Sequence, residues 1–218
     1  MAGTAPTEGR RERKKRETRE RISDIATGMF LERGFEAVTI AEIAEAADVS
    51  VNTVYNYFPT KEDLFFDRAE EMTDRPAKAV REREPGWSAA DAILGQMRQA
   101  IRDRSIYAGM MEGYDRFMRC IRESPVLLAR LMLIQHRTTE RLTETLRAET
   151  GAAPGDPLPE LVASQLVGFS NVLFRSAVLS VADGTPVEEV AADSLAKLDA
   201  FETLTTDVFL NYATRAGG

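Results

Sequence analysis

Residues 39–58, TIAEIAEAADVSVNTVYNYF, hold two helix starts separated by one tight corner, and no other stretch constrains the fold as strongly. Thr39 followed three residues later by Glu42 is a capping box: the hydroxyl takes a free amide of the first turn and the carboxylate reaches back. Val38 and Ile43 stand at the offsets of a hydrophobic staple, which fixes how the chain enters the helix. Ser50, flanked by Val49 and Val54 at the same offsets, opens a second short helix about three residues after the first should end near Ala47. Two short helices across such a turn make a helix-turn-helix.

The apolar positions divide by helical period. Ile40, Ile43, Ala44 and Ala47 form one inward stripe, and Val51, Val54 and Phe58 form another. Asn52, Thr53, Asn56 and Tyr57 remain outward, with Tyr55 at the edge, a polar and aromatic face without an acidic residue. Such a face suits base edges and phosphates; the bland alternative is a helical corner with a solvated side. Pro59 then forces Phe58 out of the α region, and Thr60 caps a third start at Lys61-Glu62-Asp63-Leu64.

The run VSVNTVYNYFPTKEDLF resembles the signature of TetR-type transcriptional regulators: a short recognition helix, then tyrosine, an aromatic pair, a small residue, lysine and an acidic residue. The resemblance is close over residues 18–66 and extends only to layout beyond them. It implies that Thr39 caps its helix and touches a phosphate, that Thr53 and Asn56 face the major groove, and that Tyr55, Tyr57 and Lys61 hold the backbone. Asn52 is a further base candidate, and Ser50 joins the DNA-facing set. The chain departs from the family pattern at Asp48, where glycine is usual, and at Asn52 and Asn56. Asp tolerates a left-handed corner, so the motif survives while the operator preference becomes its own.

The formal charge of −7 suits a DNA binder only once it is resolved along the chain. Residues 10–21, RRERKKRETRER, hold eight basic and three acidic residues, net +5, which leaves −12 on the remainder. The basic run reads either as a solvated helix face or as an arm lying along phosphates. The sequence thus predicts a flexible basic arm over 1–17, a helix-turn-helix domain over 18–66, and a larger helical domain over 67–218. The acidic remainder argues against indiscriminate coating of nucleic acid, since it would repel phosphates wherever it faced them.

The first domain begins with Ile22, Ile25, Ala26, Met29 and Phe30 at helical spacing, stopped by Gly34. Beyond the motif, helices are expected over about 60–74, 88–104, 106–123, 124–150, 160–182 and 186–204. Residues 75–86 read as a connector or a frayed helix, 151–159 as a loop, Thr185 as a cap, and 205–212 as a weaker helical extension. Strand-like alternation is absent, so the expected class is all-α with about nine helices. With no secretory signal or long uncharged apolar run, the chain reads as cytoplasmic with no membrane partner, and Cys120 as a buried apolar residue.

The last two helices carry apolar residues on more than one face, with Leu166, Val172, Val178, Leu195 and Leu198 as candidates for a homodimer interface. The resembled family implies a four-helix bundle between copies and a palindromic operator. The centre is rich in Met and aromatic residues: Met97, Met110, Met111, Tyr114, Phe117, Met118, Met132, Phe169 and Phe174 are candidates to line an adaptable apolar pocket, with core packing as the alternative. His136 and Arg175 are polar candidates to orient a small-molecule effector, with a solvated face as the alternative for His136 and an acidic residue across a dimer as the alternative partner of Arg175.

One histidine and one cysteine make no ordinary zinc site, and GxSxG, GxxxxGK[ST], HExxH and CxxC are absent. No cofactor is implied and an enzyme is disfavoured. The sequence favours a ligand-responsive regulator, most simply a homodimeric repressor of double-stranded operator DNA. The alternatives are a helical protein-interaction module and a ligand-independent regulator.

Overall fold

A computed structural model describes residues 9–111 and 113–216. The described residues are all-α, with eleven α-helices and one short 3-10 turn. They run as α1 (Arg10–Arg33), α2 (Ile40–Ala46), α3 (Val51–Tyr57), α4 (Lys61–Phe65), α5 (Ala69–Glu82), α6 (Ala89–Arg102), α7 (Tyr114–Glu123), α8 (Pro125–Thr150), α9 (Leu158–Ala182), α10 (Val187–Leu204) and α11 (Asp207–Leu210). The chain divides into two compact units. One holds the described residues through Ala69 together with Cys120–Leu127; the other holds Glu70–Arg119 and the residues from Leu128 onward.

The first unit is organised on phenylalanine. Phe30, Phe35 and Phe65 contact one another with ring centroids 5.2–5.6 Å apart, and Ile22, Ala26, Ile43, Val54, Phe58 and Leu64 complete a buried core. Helix α1 is tied to the end of α4 by polar bonds: Ser23 donates to the Asp67 carboxylate at 2.6 Å and Arg19 to the Asp67 carbonyl at 2.9 Å. Gly34, at φ 84°, ends α1 as expected, its amide bonded to Phe30 O. Cys120 is buried, with its thiol donating to the same carbonyl.

The second unit buries Leu94, Ile101, Leu142, Leu146, Leu166, Leu173 and Leu198 in one cluster. Its tail is held by a buried cation. Arg83 donates to the carbonyls of Val80, Trp87 and Ala213 and to the Glu149 carboxylate at 2.8 Å, so the charge is matched on every side. Helix α9 is long and apolar enough to cross a membrane by composition, but its Val162, Ala163, Leu166 and Leu173 lie in this core.

The structure redraws several expected elements. Residues 10–17 are the opening turns of α1 rather than a flexible arm, because ion pairs of Arg13 with Glu17 and Arg16 with Glu20 sit at i,i+4 on a continuous helix; residues 1–8 lie outside the described residues. The expected helix at 60–74 is broken after Phe65, and α5 then runs through Pro76 to Glu82, so that of the connector or frayed helix expected there the helix forms. Proline forgoes one helical hydrogen bond there without ending the helix. The expected helix at 106–123 is interrupted by Gly109 and Gly113 at φ 72° and 84°. Gly109 is required for a second reason: a Cβ there would lie 2.8 Å from the Phe174 carbonyl. Thr185 caps nothing, since α10 starts at Val187 without a side-chain cap.

Candidate nucleic-acid interface

Both motif helices are capped by the residues that the spacing singles out. At α2, Thr39 Oγ1 accepts the Glu42 amide at 3.2 Å, while Glu42 accepts the Thr39 amide at 2.8 Å and its hydroxyl at 2.7 Å. Arg33 adds a donor to Glu42 at 2.6 Å, a partner the sequence reading missed although it stands in the last turn of α1. The Arg33 bond foremost, with the Thr39 bonds, brings the Glu42 carboxyl down to about 2. The Thr39 proton is therefore engaged within the chain, and a phosphate contact there must compete with Glu42.

The corner between the helices is Ala47–Ser50, with Asp48 at φ 51° in the left-handed region and the Val49 amide bonded back to Ala44 O at 2.9 Å. At α3, Ser50 Oγ accepts the Thr53 amide at 3.1 Å, and the two hydroxyls lie 2.8 Å apart. Asn52, Tyr55 and Asn56 are exposed together on α3, whereas Thr53 and Tyr57 are half-buried. Val51, expected inward, is exposed at the first turn; Val54 and Phe58 alone carry that stripe into the core. An apolar group on this face suits a thymine methyl, a role the period-based reading overlooked.

Lys61 is not simply a surface cation. Its ammonium donates to Phe35 O at 2.5 Å and lies 4.2 Å from the Phe35 ring centroid. Burial pushes its pKa down, against the attraction of Glu36, Glu62 and Glu42. One of its three donors is thus spent on the core, leaving two for a phosphate.

The candidates in the second unit scatter. Met110 is buried; Met97, Tyr114, Phe117, Met118, Phe169 and Phe174 are half-buried. Ring contacts join Tyr114 to Phe117 and Phe174, Phe169 stacks on Phe201 at 4.0 Å, and Ser170 lies 3.3 Å from the Met97 sulfur. Met111, Met132, His136 and Arg175 are instead exposed, so they do not line an interior pocket; His136 pairs with Glu140 one turn on. An open cleft of about 500 Å³ lies around Trp87, Gly95, Arg98 and Arg102, and none of the candidate ligand residues lines it.

The candidate interface residues also divide. Leu166, Val178 and Leu198 are at most 3% exposed within this chain, so they are core positions and cannot present a surface to a second copy. Leu195 is half-buried, and Val172 is 52% exposed. The exposed side of α9 has its own regular seam. Leu158, Leu161, Gln165, Gly168, Val172, Arg175 and Leu179 recur at alternating spacings of three and four, all exposed. Gly168 opens onto empty space.

A capped helix pair with a left-handed corner and an acid-free outward face, set on a phenylalanine core, is the DNA-binding unit of a helix-turn-helix transcriptional regulator. Comparison with known proteins narrows the class. The family profile for bacterial regulatory proteins, tetR family, matches residues 22–67. The regulator TcmR of Streptomyces glaucescens is 26% identical over 210 residues, covering 94% of this chain and 90% of its own. The repressor KstR of Mycolicibacterium smegmatis is 42% identical over 71 residues, which is 29% of this chain and 35% of that protein. Among solved structures, the SmeT–triclosan complex shares the fold at a TM-score of 0.60 and 16% identity, covering 93% of this chain and 98% of that one. Residues 22–67 thus carry the DNA-binding domain of the tetR family of regulatory proteins, and over most of its length the chain is similar to a transcriptional regulator.

Proposed function

We propose that the chain is a cytoplasmic homodimeric repressor that holds a palindromic operator through α3 and releases it when a small apolar or amphipathic molecule binds the second unit. The observation that carries the DNA-binding half is the joint exposure of Val51, Asn52, Tyr55 and Asn56 on one capped helix. Asn52 and Asn56 read bases, with adenine N6 and N7 as their natural partners. Tyr55, Tyr57 and Lys61 hold phosphates, and Thr39, Ser50 and Thr53 support them at the helix starts. The basic opening turns of α1 add a sequence-independent attraction.

The dimer rests on the exposed α9 seam, whose alternating spacing is that of two helices packed side by side. Exposed Ala192, Ala196 and Ala200 on α10 allow close approach beside it. A two-fold protein requires half-sites one helical turn, or a multiple of it, apart. Effector release is supported by the fold shared with a protein that binds triclosan and by the half-buried set Met97, Tyr114, Phe117, Met118, Phe169 and Phe174 with buried Met110. Release requires tighter binding of the effector to the DNA-incompetent conformer, and the linkage is reciprocal.

The test is a gel shift of the full chain against DNA flanking its own gene, with salt varied. Operator binding should weaken linearly in the logarithm of salt, and Asn52→Ala with Asn56→Ala should abolish discrimination against unrelated DNA. Retention of full specificity by that double variant would refute the assignment of α3.

A further inference from the structure

Arg75 stands on α5 with its guanidinium carbon 3.8 Å from the Tyr107 ring centroid, half-buried. Every carboxylate on the surrounding turns of α5 is matched elsewhere. Glu70 accepts from Arg141 at 2.6 Å, Asp74 from Arg81 at 2.7 Å, and Glu71 from the Tyr107 hydroxyl. Among the described residues Arg75 itself has no hydrogen-bond acceptor or ion-pair partner. Its one contact of that kind is the aromatic face.

We propose that Arg75, laid flat on Tyr107, is the anchor for a carboxylate on the effector, the apolar body of which packs toward the interior of the second unit. The inference rests on the ligand-responsive reading above and specifies its chemistry. Stacking occupies the face of a guanidinium and leaves its N–H edge in the plane, which is the geometry a carboxylate takes in two parallel bonds. The platform is rigid, because Glu71 fixes the Tyr107 hydroxyl and Tyr107 packs against the core along with Met97 and Phe169. Burial depresses the guanidinium pKa while Tyr107 and Glu71 oppose it, yet an arginine remains charged at neutral pH. The nearby Glu70, Glu71 and Asp74 select among anions. They penalise a phosphate dianion more than a single carboxylate charge, and the lysine of α5, Lys78, is paired with Glu82 at 4.0 Å.

The experiment titrates the full chain calorimetrically with decanoate and 4-phenylbutyrate, with the primary amides of both, and with phenyl phosphate. Wild type should bind at least one acid at millimolar concentration or below, and its amide at least about 10-fold more weakly. Arg75→Met should weaken that acid about 10- to 100-fold and leave amide binding unchanged, and Arg75→Lys should fall between. Because Arg75 holds only the Tyr107 ring and the attraction of Glu71 in the free protein, Arg75→Met should shift the ligand-free melting temperature by no more than a few degrees, which separates lost binding from lost folding. Acid binding unaffected by Arg75→Met, amides bound as tightly as acids, no acid bound by wild type, or phenyl phosphate bound most tightly would each overturn the assignment. A gel shift with the same probes separates the two readings. Operator release by amides independently of Arg75 would leave ligand response standing and remove the anchor; Arg75-dependent acid binding with unchanged operator affinity would do the reverse.

Discussion

Replacing Lys61 by alanine tests the core and the interface of the DNA-binding unit at once. The ammonium gives a charged hydrogen bond to Phe35 O at 2.5 Å and a cation–π contact at 4.2 Å to the same residue's ring. Bonds of the first kind contribute about 1.5–3 kcal/mol net and contacts of the second about 0.5–1 kcal/mol at accessible sites. Desolvation works the other way, as the downward shift of the Lys61 pKa records, and the site is half-exposed, so solvent screens part of the gain. The expected loss is therefore about 1–2 kcal/mol, or a fall of roughly 0.5–1 M in the urea midpoint at unchanged slope. Lys61→Met, which keeps most of the stem, should lose nearly as much, because the charge rather than the packing carries the effect. The two remaining donors make a second, independent expectation: the slope of log affinity against log salt should fall by about 0.9. Circular dichroism in urea reads the first outcome and a salt series of gel shifts the second. An unchanged midpoint would refute the lysine as a staple on Phe35, and an unchanged salt slope would refute its phosphate contact.

Four further outcomes follow from the geometry. Asn56→Ala should cost about 1–3 kcal/mol at particular base positions and little on non-specific DNA, as competition against single-base operator variants would read. Val172→Asp should yield a folded monomer by sedimentation with weakened operator binding, whereas Leu166→Asp should unfold the second unit; a dimeric Val172→Asp protein would rule out the α9 seam. Gly109→Ala should destabilise by more than about 2 kcal/mol in thermal melts, since it forces a Cβ against the Phe174 carbonyl at a positive φ. Glu42, with its pKa lowered to about 2 from an ordinary 4.5, supports the α2 cap fully above about pH 4.5 and loses that contribution as pH falls through about 2. A carboxyl NMR titration should place its midpoint near 2, and one near 4.5 would show that Arg33 and Thr39 do not hold it.

The caps and the tight corner were legible because they depend on neighbours within a few residues, whereas the cluster of Phe30, Phe35 and Phe65 joins residues far apart in the chain and was not. A hydroxyl at the start of a helix and a carboxylate three positions on can satisfy the same amides in almost any tertiary setting. The breaks after Phe65 and at Gly109 were less legible. The first has no proline or glycine to announce it, and the second depends on the approach of Phe174, which comes from a helix more than sixty residues away. Pro76 misled in the opposite direction, since a proline interrupts a helix only when the lost hydrogen bond is not outweighed by packing, and Thr73, Ala77 and Val80 of α5 are buried.

The surface of α9 illustrates the limit of periodicity itself. An apolar residue every three or four positions marks a face, but α9 has two such faces, and the apolar repeat alone gives no sign of which one its own chain covers. Leu166, Leu173, Ala177 and Val178 go inward, while Leu158, Leu161, Val172 and Leu179 go outward, although residue type hardly separates the sets. What separates them is Gln165, Gly168 and Arg175, which interrupt the outward seam and have no counterpart on the inward one. A core stripe cannot tolerate a glutamine and an arginine without partners, whereas an interface between two identical chains can meet them at its rim. Polar residues within an apolar repeat are thus the better guide to the face of a helix turned away from its own core, and on α9 they point to the seam on which the dimer is proposed.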